Sequence, residues 1–142
     1  MVSVVVPTYN EEQALPHTLG ALLHQEGTYE VILVDGGSSD RTRAIAESFG
    51  FSNSASDHDL PPHISRAACD GRVSNDVSRR VLTAAKGRAS QMNAGANAAR
   101  GEWLLFLHAD TVLPPRAIRR LNEMESDPTI QAGGFKHQFS GS

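Results

Sequence analysis

The run Trp103-Leu104-Leu105-Phe106-Leu107, closed by His108-Ala109-Asp110, constrains the fold of this chain more than any other stretch. Five consecutive apolar residues present no polar face to solvent. The segment therefore reads as a strand buried on both sides, the kind found in the middle of a parallel sheet. His108 and Asp110 stand two positions apart, and on a strand that spacing sends both side chains the same way. Open α/β sheets bind their ligands just beyond the carboxyl ends of the strands. The run thus delivers an imidazole and a carboxylate to the place where such a fold does its chemistry. The local reading of the same residues is plainer: Asp110 caps a helix or shapes a turn, and His108 satisfies a nearby hydrogen bond.

The rest of the chain repeats the theme of an apolar run with a polar end. Val2 to Val6, β-branched apart from Ser3, stops at Pro7 and reads as a first buried strand. Asn10 can cap a helix carrying Leu15, Leu19, Leu22 and Leu23 on one face, with Gly27 as its close. Glu30 to Val34 is a second strand, ending at Asp35. Gly36-Gly37 permits a tight turn, and Asp40 can cap a short helix that buries Ile45, Ala46 and Phe49. Arg80 to Thr83 is a third strand. Arg88 to Ala99 is a helix with Ala89, Met92, Ala96 and Ala99 inward, ended by Gly101. Pro114 and Pro115 suit the first turn of a fourth helix with Ala117, Ile118, Leu121 and Met124 on its inner face. Ile130 to Phe139 reads as a further strand whose Gly133-Gly134 suggests a bulge or a close backbone approach. Alternating strands and helices with short joins imply parallel pairing and right-handed crossovers. The expected fold is α/β, a Rossmann-like, mostly parallel sheet flanked by helices, forming a single domain over residues 1–142.

One segment breaks the pattern. Phe51 to Arg79 is rich in Ser, Asp, Asn and His, carries Pro61-Pro62 and shows no period, so it reads as a surface insertion, flexible over residues 52–78. His58 and His63, with Asp57 and Asp59, could form a metal clip there. Solvated loop side chains are the simpler reading, because no rigid element fixes their geometry.

Composition closes off several classes. The 142 residues suffice for one core. A net charge of −3 leaves no large basic surface for nucleic acid. No apolar run approaches the roughly 20 residues that span a bilayer, and Met1 to Pro7 lacks the positive start of a signal peptide. The single Cys69 fits a reducing compartment and has no nucleophile signature around it. A cytoplasmic location is expected.

Four polar clusters fall at predicted strand ends: Pro7-Thr8-Tyr9-Asn10-Glu11, Asp35-Gly36-Gly37-Ser38-Ser39-Asp40, Lys86-Gly87-Arg88 with Gln91 and Asn93, and His108-Ala109-Asp110. At corresponding positions of a parallel sheet they should meet in one cleft. In this order and spacing, and together with Asn93-Ala94-Gly95, they resemble the inverting glycosyltransferases of family 2, with the nucleotide-sugar-binding glycosyltransferase A fold. The Asp-Gly-Gly-Ser and His-Ala-Asp variants look like one bacterial subgroup of that family. The resemblance covers residues 2 to 139 apart from the insertion.

The resemblance implies roles. Pro7 and Tyr9 would line the nucleotide site, with the Tyr9 ring stacked on uracil. Glu11 would accept from ribose hydroxyls and Asp35 from the base N–H, since a carboxylate offers only acceptors. Arg88 would meet the diphosphate, with Gln91 and Asn93 as further contacts. Asp40 matches a family position near the nucleotide, although capping is its leading reading. Asp110 and His108 would hold Mn²⁺ or Mg²⁺ on the leaving diphosphate. The family motif usually has further acidic residues where His108 stands, and an imidazole suits Mn²⁺ better than Mg²⁺. The implied partners are a nucleotide-diphosphate sugar, with UDP as the carrier, and a sugar, lipid or other hydroxyl acceptor. Peripheral association with the inner face of the membrane and a homo-oligomer both stay open. The family's general base lies well downstream of His-Ala-Asp and is expected beyond Ser142. Glu123, Glu125 and Asp127 come too early and read as a solvated helix face. This chain is accordingly expected to carry the donor half of a site, as a fragment or a short form. The alternative is a non-catalytic nucleotide-sugar-binding module. A dinucleotide-binding domain is disfavoured, because Pro7-Thr8-Tyr9 stands where G-x-G-x-x-G would follow the first strand.

Overall fold

The structure, a computed structural model, describes residues 1–53 and 77–136. In chain order the elements are β1 (Val2–Thr8), α1 (Leu15–Leu22), β2 (Tyr29–Asp35), α2 (Thr42–Ser48), β3 (Ser52–Asn53), β4 (Ser78–Thr83), α3 (Arg88–Ala98), β5 (Trp103–Phe106) and α4 (Ala117–Met124). The sheet runs β3-β4-β2-β1-β5 and every pairing is parallel. That confirms the α/β reading and sets the carboxyl ends of all strands along one edge.

The two strands β1 and β2 are the most deeply buried. Val2, Val4 and Val6 point with Val31 and Leu33 into the larger core, which Leu15, Leu19 and Leu22 of α1 and Ala117 and Ile118 of α4 complete. Val5, Ile32 and Val34 face the other way, against Ala94 and Ala98 of α3. A Cβ on Gly95 would lie 2.2 Å from Val5 Cγ1, so this glycine lets α3 approach the sheet. The buried face of α3 is therefore Gln91 and Gly95. The face expected from its alanines and Met92 is rotated by about one residue, and Ala89 is exposed. Backbone contact outweighed side-chain hydrophobicity in setting that rotation.

The organising strand is corrected most. Among the described residues β5 lies at the edge of the sheet, and Leu104 and Phe106 are 43% and 42% exposed. An apolar run marks a strand but not its neighbours. Other expectations also shift. Asn10 does not cap α1; it adopts φ 50° and bonds across to the next loop, and α1 begins without a side-chain cap. Gly27 lies beyond the end of α1, at φ 128° against Ile118 and Asn122 of α4. Pro114 and Pro115 precede α4, which starts after Arg116 in the left-handed region, φ 64°. Residues 130–136 form no strand, and nothing approaches a Cβ built on Gly133 or Gly134. The ends of the expected insertion are ordered into the sheet: Phe51 is buried, Ser52–Asn53 pairs with β4, and β4 begins at Ser78 over the buried Val77. The remainder of that segment, with His58, His63 and Cys69, lies outside the described residues, as does His137.

At the amino end of the sheet a charge is buried. Glu30 is 1% exposed. Its carboxylate accepts from Ser3 Oγ at 2.6 Å, the Arg100 amide at 2.7 Å and Arg80 Nη2 at 2.8 Å. Arg80 Nη2 also donates to Ala98 O, and Ser3 Oγ accepts from the Gly101 amide. Burial pushes the Glu30 carboxyl up, but these bonds and the Arg80 charge prevail and hold it below its ordinary value.

Candidate functional site

At the opposite end a cleft of about 300 Å³ opens between the carboxyl ends of β1 and β5 and the start of α3. Pro7, Thr8, Tyr9, Glu11, Arg88, Gln91, His108, Ala109 and Asp110 line it. Seven of the nine residues expected to bind nucleotide or metal are thus brought together. Asp35 and Asn93 are not among the lining residues.

The wall from β1 is held by its neighbour. The β1–α1 loop is laced to the β2–α2 loop: the amides of Asn10, Glu11 and Glu12 donate to Ser38 Oγ, Thr42 Oγ1 and Asp40 Oδ2 at 2.9, 2.8 and 3.2 Å. In return the Ser39 amide donates to Asn10 Oδ1 and the Arg41 amide to Glu12 Oε2. Side chains thus replace the backbone partners that an irregular loop lacks, and Tyr9 and Glu11 are presented from a fixed frame. Asp40 also accepts from the amide and hydroxyl of Thr42, the first residue of α2; it stands one residue ahead of the N-cap, Arg41, which makes no side-chain cap bond, so Asp40 fastens the turn into α2 and is not its N-cap. These bonds keep its carboxyl below the ordinary value although burial opposes them.

Asp35 is a turn organiser in this structure. It is 1% exposed and accepts from the Gly37 and Ser38 amides at 3.1 and 3.0 Å, from Ser38 Oγ, and from Thr8 Oγ1 at 3.4 Å. A carboxylate has about four acceptor positions; the two amides and Ser38 Oγ take three of them, and the Thr8 hydroxyl is shared with Val34 O at 3.5 Å. Gln91 is likewise structural as well as lining. Its Nε2 bridges Thr8 O and Val34 O, both at 2.8 Å, and so ties α3 to the ends of β1 and β2. Gly36 leaves the room, since a Cβ there would meet the Gln91 amide group at 3.1 Å.

The third wall follows β5. The Leu107 amide donates to Val5 O, and the chain then turns, with the Thr111 amide on His108 O. Ala109 is buried, and its carbonyl accepts from Thr18 Oγ1 of α1 at 2.6 Å. That anchor leaves His108 and Asp110 on either side of it exposed in the cleft. The arrangement explains why a small residue separates them, and Thr18 is a contributor that its helical position did not reveal. Glu11 faces them: burial raises its carboxyl above the ordinary value, the charges of Asp110 and Asp40 raise it further, and His108 opposes them. Arg88 supplies a guanidinium to the same cleft.

A cation fits this donor set. Asp110 and His108 are exposed in one cleft with Glu11, and a carboxylate and an imidazole are both metal-ligating groups. Among the described residues no three His, Cys, Asp or Glu side chains make a complete cage.

Comparison with known proteins decides the family. The sequence model of glycosyl transferase family 2 matches residues 3–58 and 51–141. The chain belongs to glycosyl transferase family 2. It is 36% identical over 124 residues to the undecaprenyl-phosphate 4-deoxy-4-formamido-L-arabinose transferase of Proteus mirabilis, covering 84% of this chain and 32% of that protein. It therefore spans about a third of the length of that relative. Among solved structures, the mannosyltransferase PcManGT of Pyrobaculum calidifontis superposes with a TM-score of 0.66 at 23% identity, over 91% of this chain and 33% of that one. S. aureus TarS 1–349 does so with a TM-score of 0.63 at 22% identity, over 87% and 30%. The fold is that of the glycosyltransferase A enzymes. Among the described residues no helix is long and apolar enough to cross a membrane.

Proposed function

We propose that the cleft is the donor half of a glycosyltransferase site. It would take a nucleotide-diphosphate sugar, with UDP as the carrier, for metal-dependent, inverting transfer of the sugar to a hydroxyl acceptor. The observation that carries this reading is the convergence of Tyr9, Glu11, Arg88, His108 and Asp110 on one cleft at the carboxyl ends of β1 and β5. Tyr9, 36% exposed, offers a flat face to a base. Glu11 accepts from ribose hydroxyls. Arg88 binds diphosphate oxygens with its planar fork. Asp110 and His108 would hold Mn²⁺ or Mg²⁺, which neutralises charge developing on the leaving diphosphate when bound. Support for a nucleotide sugar comes from TarS 1–349, solved with UDP-GlcNAc, and for a cation from PcManGT, solved with GDP-Man and Mn²⁺. The Proteus relative, named for an undecaprenyl-phosphate substrate, supports a lipid-linked acceptor and work at the membrane surface.

Asp35, fixed by the Gly36–Ser38 turn that it organises, would accept from the base N–H. The cleft also favours binding over turnover by these residues alone. Its two lining carboxylates, Glu11 and Asp110, are both assigned to the donor, and a positioned general base typically contributes 10²–10⁴-fold. The test is calorimetry of UDP with and without Mn²⁺, followed by an assay of nucleoside diphosphate released from donor with and without acceptors. Metal-dependent binding with slow, acceptor-independent release is expected. Absence of binding by any nucleoside diphosphate would remove the reading.

A further inference from the structure

Lys86 is the group beside the cleft that this donor scheme leaves unused. It stands exposed in the loop between β4 and α3, with its ammonium 4.1 Å from the centroid of the Tyr9 ring. Among the described residues no carboxylate pairs with it. A cation over an exposed ring is held weakly, and a lysine is a hydrated point charge on a flexible four-carbon stem. Two residues further on, Arg88 lines the cleft. The loop also leads into α3, which has neither an acidic residue in its first turn nor a side-chain cap. The free protein therefore rests a cation, with no carboxylate partner among the described residues, on one face of the Tyr9 ring, two residues from Arg88.

We propose that Lys86 is a second diphosphate-binding residue that exchanges partners on donor binding. In the free protein its ammonium covers the Tyr9 ring. When a nucleotide enters, the base takes that ring face and the ammonium moves onto phosphate oxygens beside Arg88. The exchange is downhill because a phosphate anion attracts an ammonium more strongly than a ring quadrupole does. A distinctive consequence follows: Lys86 competes with a nucleoside, which brings only a base and a ribose, but cooperates with a nucleoside diphosphate. The proposal rests on the donor-site reading above.

Uridine and UDP, each titrated calorimetrically with Mn²⁺ into the full chain, separate the alternatives. Lys86→Met keeps the stem and removes the charge; Lys86→Arg keeps the charge. The methionine variant should bind UDP about tenfold more weakly, yet bind uridine as well as the parent or somewhat better. The arginine variant should keep most of the UDP affinity. Added salt should weaken UDP binding more in the parent than in the methionine variant. Equal weakening of both ligands by Lys86→Met would show that Lys86 only props the ring and would overturn the exchange. An unchanged UDP affinity would overturn it too, while leaving the donor site standing. A parent chain that binds neither ligand would remove the donor-site reading and this proposal with it. Circular dichroism of each variant confirms that the fold is intact.

Discussion

Glu30 and Glu11 stand at opposite ends of the same sheet, and their carboxyls are displaced in opposite directions. Glu30 is sealed off and saturated by Ser3, Arg80 and the Arg100 amide. Glu11 is partly open and looks at Asp110, Asp40 and His108. At the amino end, polar groups satisfy one another and fasten β1, β2, β4 and the α3–β5 turn together. At the carboxyl end, Glu11 and Asp110 share a cleft with His108 and Arg88 and are not saturated in the way that Glu30 is. The first arrangement serves stability; the second costs some stability and leaves room for a ligand to complete it.

The largest effect should come from breaking the saturated end. Glu30→Ala strands Arg80, whose Nε is already buried without a hydrogen bond. Removing one partner of a buried pair costs about 3–5 kcal/mol, so urea denaturation should show a large fall in midpoint or an unfolded chain. The same pair sets a pH dependence. The folded-state pKa of Glu30 lies below its unfolded value, near 4.5, so its stabilisation is complete above that value and is lost as pH falls through the folded pKa. Urea midpoints that stay level on acidification below pH 4.5 would contradict this.

Gly101→Ala tests the same end with a single methyl. Its Cβ would lie 2.4 Å from Met1 O and 2.9 Å from the Ser3 amide nitrogen, both backbone atoms that cannot swing aside. Overpacking of this kind costs about 1–3 kcal/mol, read from the shift in thermal midpoint. A neutral result would mean that the α3–β5 turn is looser than its hydrogen bonds suggest.

At the open end the effects move from stability to binding. Asp110→Ala should leave the thermal midpoint close to the parent value, because Asp110 is exposed and among the described residues accepts only from Thr111 Oγ1 at 3.3 Å. It should reduce Mn²⁺-dependent UDP affinity by about tenfold or more, equivalent to roughly 1.4 kcal/mol. An unfolded variant would place Asp110 among the structural residues instead.

The smallest effect, with opposite sign to Glu30, is expected for Glu11→Gln without metal. Because the folded pKa of Glu11 is raised, ionising it disfavours the folded state as pH climbs from 4.5 through that raised value. The glutamine variant should therefore be slightly more stable than the parent near neutral pH and no more stable below pH 4.5. A loss of stability at neutral pH would show that Glu11 holds a structural bond.

The sequence determined the periodicities and the turns. Short β-branched runs alternating with amphipathic segments required a parallel α/β sheet, and the polar residues after each run marked the edge where the cleft forms. Those signals are local, because side-chain spacing along a strand or helix is a property of the chain itself. Only the tertiary structure decided which strand lies next to which. Trp103–Phe106 is as apolar as a central strand, yet among the described residues it pairs with β1 alone, since hydrophobicity reports burial in general and not the identity of a neighbour. The rotation of α3 was decided in the same way, by the absence of a side chain at Gly95 and by the reach of Gln91 to two strand carbonyls. The division of the carboxylates was also tertiary. Asp35, Glu30, Glu11 and Asp110 are chemically alike in the sequence; one became a turn, one a buried ion pair, and two a cleft, because the donors that satisfy or neglect a carboxylate arrive from distant parts of the chain.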